Sequence, residues 1–154
     1  MLSSVSPLLS VVSSCAKAML WFSDLHKQTR GNVRALVEEL KENSRLCFRV
    51  IEDDVPPEAV IPRFSTVVFD RLNESGFDFN TVKRSAIPDF EGLSGCDLAP
   101  WAGKPTSLLI ASIYDKIKDL RSIHALNAKE PRLWRRRIIN IHKRLLLLLR
   151  HASE

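Results

Sequence analysis

The reading of the fold turns on one stretch, Pro131-Arg-Leu-Trp134-Arg-Arg-Arg-Ile138-Ile-Asn-Ile141-His-Lys-Arg-Leu145-Leu-Leu-Leu-Leu-Arg150. Placed on a helix at about 100° per residue, Trp134, Ile138, Ile141, Leu145, Leu148 and Leu149 fall within roughly 100° of arc. That is the apolar stripe of a helix facing a core. Arg132, Arg136, Lys143 and Arg150 gather on the opposite side, and Arg137, Asn140, Arg144 and His151 line one flank. Arg135 and His142 share the other flank. The run from Leu145 to Leu149 wraps right round the helix, and Leu147 falls among the basic residues. That end is expected to be enclosed by other helices or by a second subunit.

The charge follows the same segment. The chain has 154 residues and a net charge of +5. Residues 1–128 carry 15 basic and 16 acidic side chains, net −1, whereas residues 129–154 carry 8 and 2, net +6. A near-neutral body thus bears one strongly basic terminal helix. Such a helix attracts phosphate backbones, anionic lipid or an acidic protein. An apolar fraction of 45% with 27% charged residues is a globular composition and excludes wholesale disorder.

Working back along the chain, Pro105 opens a helix to about Leu126, with Leu109, Ile113, Ile117 and Leu120 as its stripe, and Asn127 is a stop. Residues 76–105 hold four of the five glycines and three of the eight prolines, and read as an irregular loop. Asp78 or Asn80 is placed to cap a short helix from Thr81 to Ala86. Phe77, Phe79, Phe90 and Trp101 are expected to pack the loop back onto the body. Residues 57–74 read as a turn at Pro62 and a helix from about 63 to Glu74, with Gly76 as its stop. Val60, Ile61, Phe64, Val67, Val68 and Leu72 are expected inside.

At the front, Ser6-Pro7 is a helix start. Leu8, Val12, Cys15, Met19 and Phe22 form one apolar face, and Val33, Leu36, Val37, Leu40, Cys47, Val50 and Ile51 resume it. Glu38, Glu39, Lys41, Glu42 and Arg45 occupy the other side. Residues 6–53 are therefore expected to be helical throughout, as one long helix or two in line, with a kink near Gly31. No two-residue alternation and no repeat occurs. The whole chain, residues 1–154, reads as a single all-α domain, a bundle of about four to five helices.

Little chemistry is legible. Cys15, Cys47 and Cys96 are odd in number and widely spaced, so no disulfide framework or zinc knuckle follows. His26 has no partner at ligand spacing, and no metal, cofactor or small-molecule substrate is expected. The segment from Met1 to Lys17 has no positive charge ahead of its apolar stretch, and no window of about 18 apolar residues exists. A cytoplasmic protein is expected.

Arg137 and His142 are separated by four residues; Arg135 and His142, and Arg144 and His151, by six. In this the sequence resembles small all-α HEPN ribonuclease domains, which carry an Arg-x(4–6)-His motif. The resemblance implies histidine as general base or acid and arginine as phosphate holder. Residues seven apart nearly eclipse on a helix, whereas residues five apart sit about 140° round it. The family pattern has a polar residue after the arginine; Ile138 follows Arg137, and Arg136 follows Arg135. The resemblance covers the motif and the helical class alone.

The residues themselves favour a non-catalytic interaction module. Arg132, Arg135, Arg136, Arg137, Lys143, Arg144 and Arg150 are its expected contacts to nucleic acid or an acidic partner, with Trp134 or Trp101 as a stacking surface. A protein partner or self-association through the long N-terminal helix is expected alongside. A basic helix lying on anionic lipid is the remaining alternative.

Overall fold

The computed structural model describes residues 15–93, 95–126 and 131–154, with side chains except those of Cys15, Pro131 and Arg132. Ser6-Pro7, Leu8, Val12 and the stop at Asn127 lie outside the described residues. Among the described residues six α-helices appear: α1 (Cys15–Gln28), α2 (Gly31–Ile51), α3 (Pro57–Val60), α4 (Val67–Glu74), α5 (Thr106–Ala125) and α6 (Pro131–Ser153). Five of them have eight residues or more. Three single 3-10 turns, Ile61–Arg63, Phe79–Thr81 and Ala99–Trp101, complete the regular structure of the described residues. No strand occurs among the described residues, so the protein is an all-α bundle.

The N-terminal stretch, expected as one long helix or two in line, is among the described residues two helices packed on each other. α1 ends at Gln28, Arg30 is extended (φ −143°, ψ 159°), and Gly31 opens α2 in the left-handed region at φ +56°. A glycine accepts this conformation without the steric cost a side chain brings. The turn is also stapled from across it. Arg34 Nε donates to the carbonyls of His26 (3.1 Å) and Thr29 (2.9 Å), and Thr29 Oγ1 donates to His26 O at 3.1 Å. Carbonyls left open at the end of α1 are thus satisfied by the next helix. Folding back lets two amphipathic stripes bury each other, which one straight helix cannot do.

α6 lies at the centre and packs against α1, α2, α3 and α5. Its whole predicted stripe is buried, and all five leucines from Leu145 to Leu149 are at most 3% exposed. Other helices of the same chain enclose that end. Opposite it, α2 contributes Leu36, Val37, Leu40, Cys47, Phe48 and Val50, and α5 contributes Leu109, Ile113, Ile117 and Leu120.

Glu39, placed on the outer side of α2 by its pattern, is buried instead. Its carboxylate accepts hydrogen bonds from the backbone N–H groups of Val68 (2.8 Å) and Phe69 (3.1 Å), Ser65 Oγ (2.8 Å) and Tyr114 Oη (2.8 Å). Two of these are N–H groups in the first turn of α4, where a negative charge is favoured. One turn along α2, buried Asn43 accepts from Ser65 N (2.9 Å) and donates to Ser65 O (2.8 Å). This anchoring sets the rotation of α4. Phe69 therefore turns inward, stacked on Phe79 and Tyr114 at 5.0 and 4.2 Å, while Val67, expected inside, is 73% exposed.

α4 stops at Gly76 (φ +75°), with Gly76 N–H donating to Asn73 O and Phe77 N–H to Leu72 O. The short helix expected over Thr81 to Ala86 is absent. Only the turn Phe79–Thr81 forms, with Asp78 accepting from Asn80 N–H. Its continuation is diverted: Asn80 Oδ1 caps α5 by accepting from Ser107 N–H, and the carbonyl of Lys83 accepts from Thr106 Oγ1. The loop ends are joined by Ile87 N–H to Lys104 O and Gly103 N–H to Ile87 O. Phe79, Ile87, Phe90, Leu93 and Leu98 bury into the core.

Candidate functional site

The basic residues of α6 lie on a helix whose other side is fully committed to the core, and most of them have partners within the chain. Arg135 Nη1 donates to Val50 O at 2.8 Å, satisfying a carbonyl at the end of α2. Arg137 pairs with Asp119 of α5 at 2.7 Å, and Lys143 with Asp97 at 3.6 Å. Arg144 Nη1 donates to Asn140 O at 3.0 Å. Arg150 pairs with Glu154 at 3.2 Å and lies 4.8 Å from the ring centre of Phe90. Arg136 is exposed, and the side chain of Arg132 lies outside the described ones. Trp134 is buried beside His124 and offers no open face to a base.

Neither histidine of the Arg-x-His spacings is presented to solvent. His142 sets its ring edge-on to Phe48 at 4.7 Å, and burial pushes its pKa from 6.5 down to about 4. His151 is 1% exposed, with Nε2 2.8 Å from Thr106 Oγ1. The Thr106 hydroxyl already donates to Lys83 O, so Nε2–H of His151 is the donor in that contact. Burial first, then the charge of Lys83, lowers the pKa of His151.

One opening lies over α5. A cavity of about 490 Å³ is lined by Trp101, Lys104, Leu108, Ala111, Ser112, Asp115, Lys116 and Asp119. On α5 these residues recur at steps of one, three and four, which puts them on one face. Trp101 is half-buried, with Lys104 Nζ 5.0 Å from its ring centre, and Leu108 is 52% exposed. At the far end Lys116 sits among like charges. Its pKa is lowered by burial first and then by Arg144 and Arg137, against the opposing pull of Asp119 and Asp97. The cavity itself is lined by two cations, Lys104 and Lys116, and two carboxylates, Asp115 and Asp119, while Arg137 and Lys143 of α6 pair with Asp119 and Asp97 beside it.

Sequence reasoning pointed to the basic residues of α6 and not to the α5 face that lines this cavity. The α5 face is a mixed one, Leu108, Ala111, Ser112, Asp115, Lys116, Asp119, with no charge run to mark it. A smaller cleft of about 300 Å³ lies between Trp21, Asp24, Leu25 and Gln28 of α1 and Arg150 and Ser153 of α6, with Glu154 beside it. Cys47 is buried and its thiol pKa is pushed well up by burial. Among the described residues no group of three His, Cys, Asp or Glu side chains is placed to hold a metal ion, and no helix is long and apolar enough to cross a membrane.

The class the geometry defines is thus an all-α bundle with a basic terminal helix at its centre and an open cavity over α5. No family model matches this chain, and no curated protein or solved structure does.

Proposed function

We propose that this protein is a non-catalytic helical interaction module that binds nucleic acid through the basic residues of α6. The observation that carries the reading is the concentration of basic side chains on α6, with Arg136 exposed and Arg137, Lys143 and Arg144 beside it on a helix whose other side is buried. A phosphate placed among them relieves like-charge repulsion, and arginine and lysine are the side chains suited to it. Exposed Arg136 and Lys104 extend the same positive field. The burial of His142 and His151 favours a binding role over a cleaving one at these positions.

The test is fluorescence anisotropy of a labelled oligonucleotide over a range of salt concentration. Affinity is expected to fall steeply with salt, because binding releases counterions. Arg136→Gln with Arg137→Gln is expected to reduce the slope of log K against log salt by about 2, one for each lost phosphate contact. Affinity independent of salt, or no binding at low salt, defeats the proposal. Salt-dependent binding to polyglutamate without binding to oligonucleotide identifies an acidic protein as the partner instead.

A further inference from the structure

One histidine fastens the last turn of α6 to the start of the long loop. His151 is 1% exposed, and its Nε2–H donates to Thr106 Oγ1 at 2.8 Å. Thr106 is buried at the first position of α5 and donates its own proton to the carbonyl of Lys83 at 2.7 Å. Two hydrogen bonds in series therefore join α6, α5 and residue 83. On the other side of the ring, Nδ1 is buried with no hydrogen-bond partner among the described residues. A proton added there puts a charge inside a packed junction.

The charged groups around the junction come from several elements. Burial and then Lys83, in the loop, oppose a charged ring, and they outweigh the Ser85 backbone and Glu154 of α6, which favour it. Thr106 of α5 brings no charge. Arg84 is paired with Asp78 at 2.7 Å and Arg150 with Glu154 at 3.2 Å. Asp24 of α1 lines the cleft shared by Arg150 and Glu154.

We infer that His151 is an acid-sensitive latch: protonation of its imidazole releases residues 83–87 from the start of α5 and the end of α6 while the body of the bundle stays folded. The segment is suited to open by itself. Residues 84–86 are exposed and belong to no helix. Past the latch the segment is tied through Ile87, whose N–H donates to Lys104 O at 2.9 Å and whose carbonyl accepts from Gly103 N–H at 2.7 Å. Exposed backbone of this kind opens at a lower free energy than the core. In the open segment the ring takes its proton at the ordinary 6.5, whereas in the closed one it resists. Opening is therefore favoured as pH falls through that value, by up to about tenfold per pH unit for one proton. The latch works whatever α6 binds.

The test is amide hydrogen exchange of the whole chain, followed by NMR from about pH 8 to about pH 5 and corrected for the intrinsic pH dependence of exchange. The amides of Ile87 and Gly103 are expected to lose protection as pH falls, by up to about tenfold per unit. That loss is expected to exceed any at buried Leu40 and Ile113. His151→Gln keeps a neutral N–H donor at every pH, so protection at Ile87 and Gly103 is expected to follow the core amides. The same comparison in a His142→Leu chain removes the other buried histidine. Loss in step with the core amides in both backgrounds, or an equal extra loss in His151→Gln, overturns the inference. The parent chain alone gives a second test, through the ring signals of His151. A ring that titrates near 6.5 with Ile87 still protected also overturns it.

Discussion

His142 shows how one side chain carries a pH dependence into the whole protein. It is buried edge-on to Phe48, and its pKa is about 4 against an ordinary 6.5. The unfolded chain takes up a proton as pH falls through 6.5, while the folded chain resists until about 4. Stability is therefore full above 6.5 and is lost as pH falls through that window, by roughly 3 kcal/mol for this group. His151 shifts in the same direction and adds to the loss. His142→Leu, which keeps the apolar contact and removes the proton site, is expected to flatten the fall in urea midpoint across this range. An unchanged fall locates the pH dependence in other groups. From sequence alone His142 belonged with the basic flank, because helical phase says where a residue points and not what lies opposite. Glu39 was misplaced for the same reason: an acidic residue beside Glu38 reads as solvated until four donors from Ser65, Val68, Phe69 and Tyr114 are brought to it.

At the scale of elements, helices were legible wherever a stripe ran for three turns or more. The stripes of α2, α5 and α6 were readable, and so were the stop at Gly76 and the disruption at Pro62. The relation between consecutive helices was not. Gly31 is visible as a soft spot, yet a kink and a reversal differ only in a few backbone angles and in the partners each brings. Here φ +56° at Gly31 and the hydrogen bonds of Arg34 across the turn decide for reversal. A Cβ at position 31 meets nothing within 4 Å, so only backbone strain opposes a side chain there. Gly31→Ala is expected to cost about 1 kcal/mol in chemical denaturation, and Gly31→Asn less, since asparagine visits the left-handed region more readily. Equal stability of all three proteins contradicts a reversal that depends on this conformation. Thr81 to Ala86 failed as a helix for a related reason. Asn80 and the Lys83 carbonyl are spent on α5, and a six-residue segment cannot outweigh those long-range bonds.

For the molecule as a whole, α6 is both the core and the source of the positive charge. Leu145 to Leu149 are buried on every side, each worth roughly 1.5–3 kcal/mol of burial. Removing residues 131–154 is expected to abolish the cooperative urea transition, so deletion cannot separate the charge from the fold. A shortened chain that still unfolds in one sharp step refutes the central place given to α6. Charge is tested by surface substitution instead, at Arg136 and Arg137. By itself the sequence determined that the protein is helical, which faces of its helices are apolar, and that its net positive charge sits at one end. Those properties follow from the period of 3.6 residues and from composition, both local. The tertiary structure alone decided that α1 and α2 fold back, that Glu39 is a buried anchor, that most of the α6 cations pair inside the chain, and that Trp101 and Lys116 line one cavity. Each of these joins residues far apart in sequence, and their free energy comes from contacts that exist only once the helices are packed.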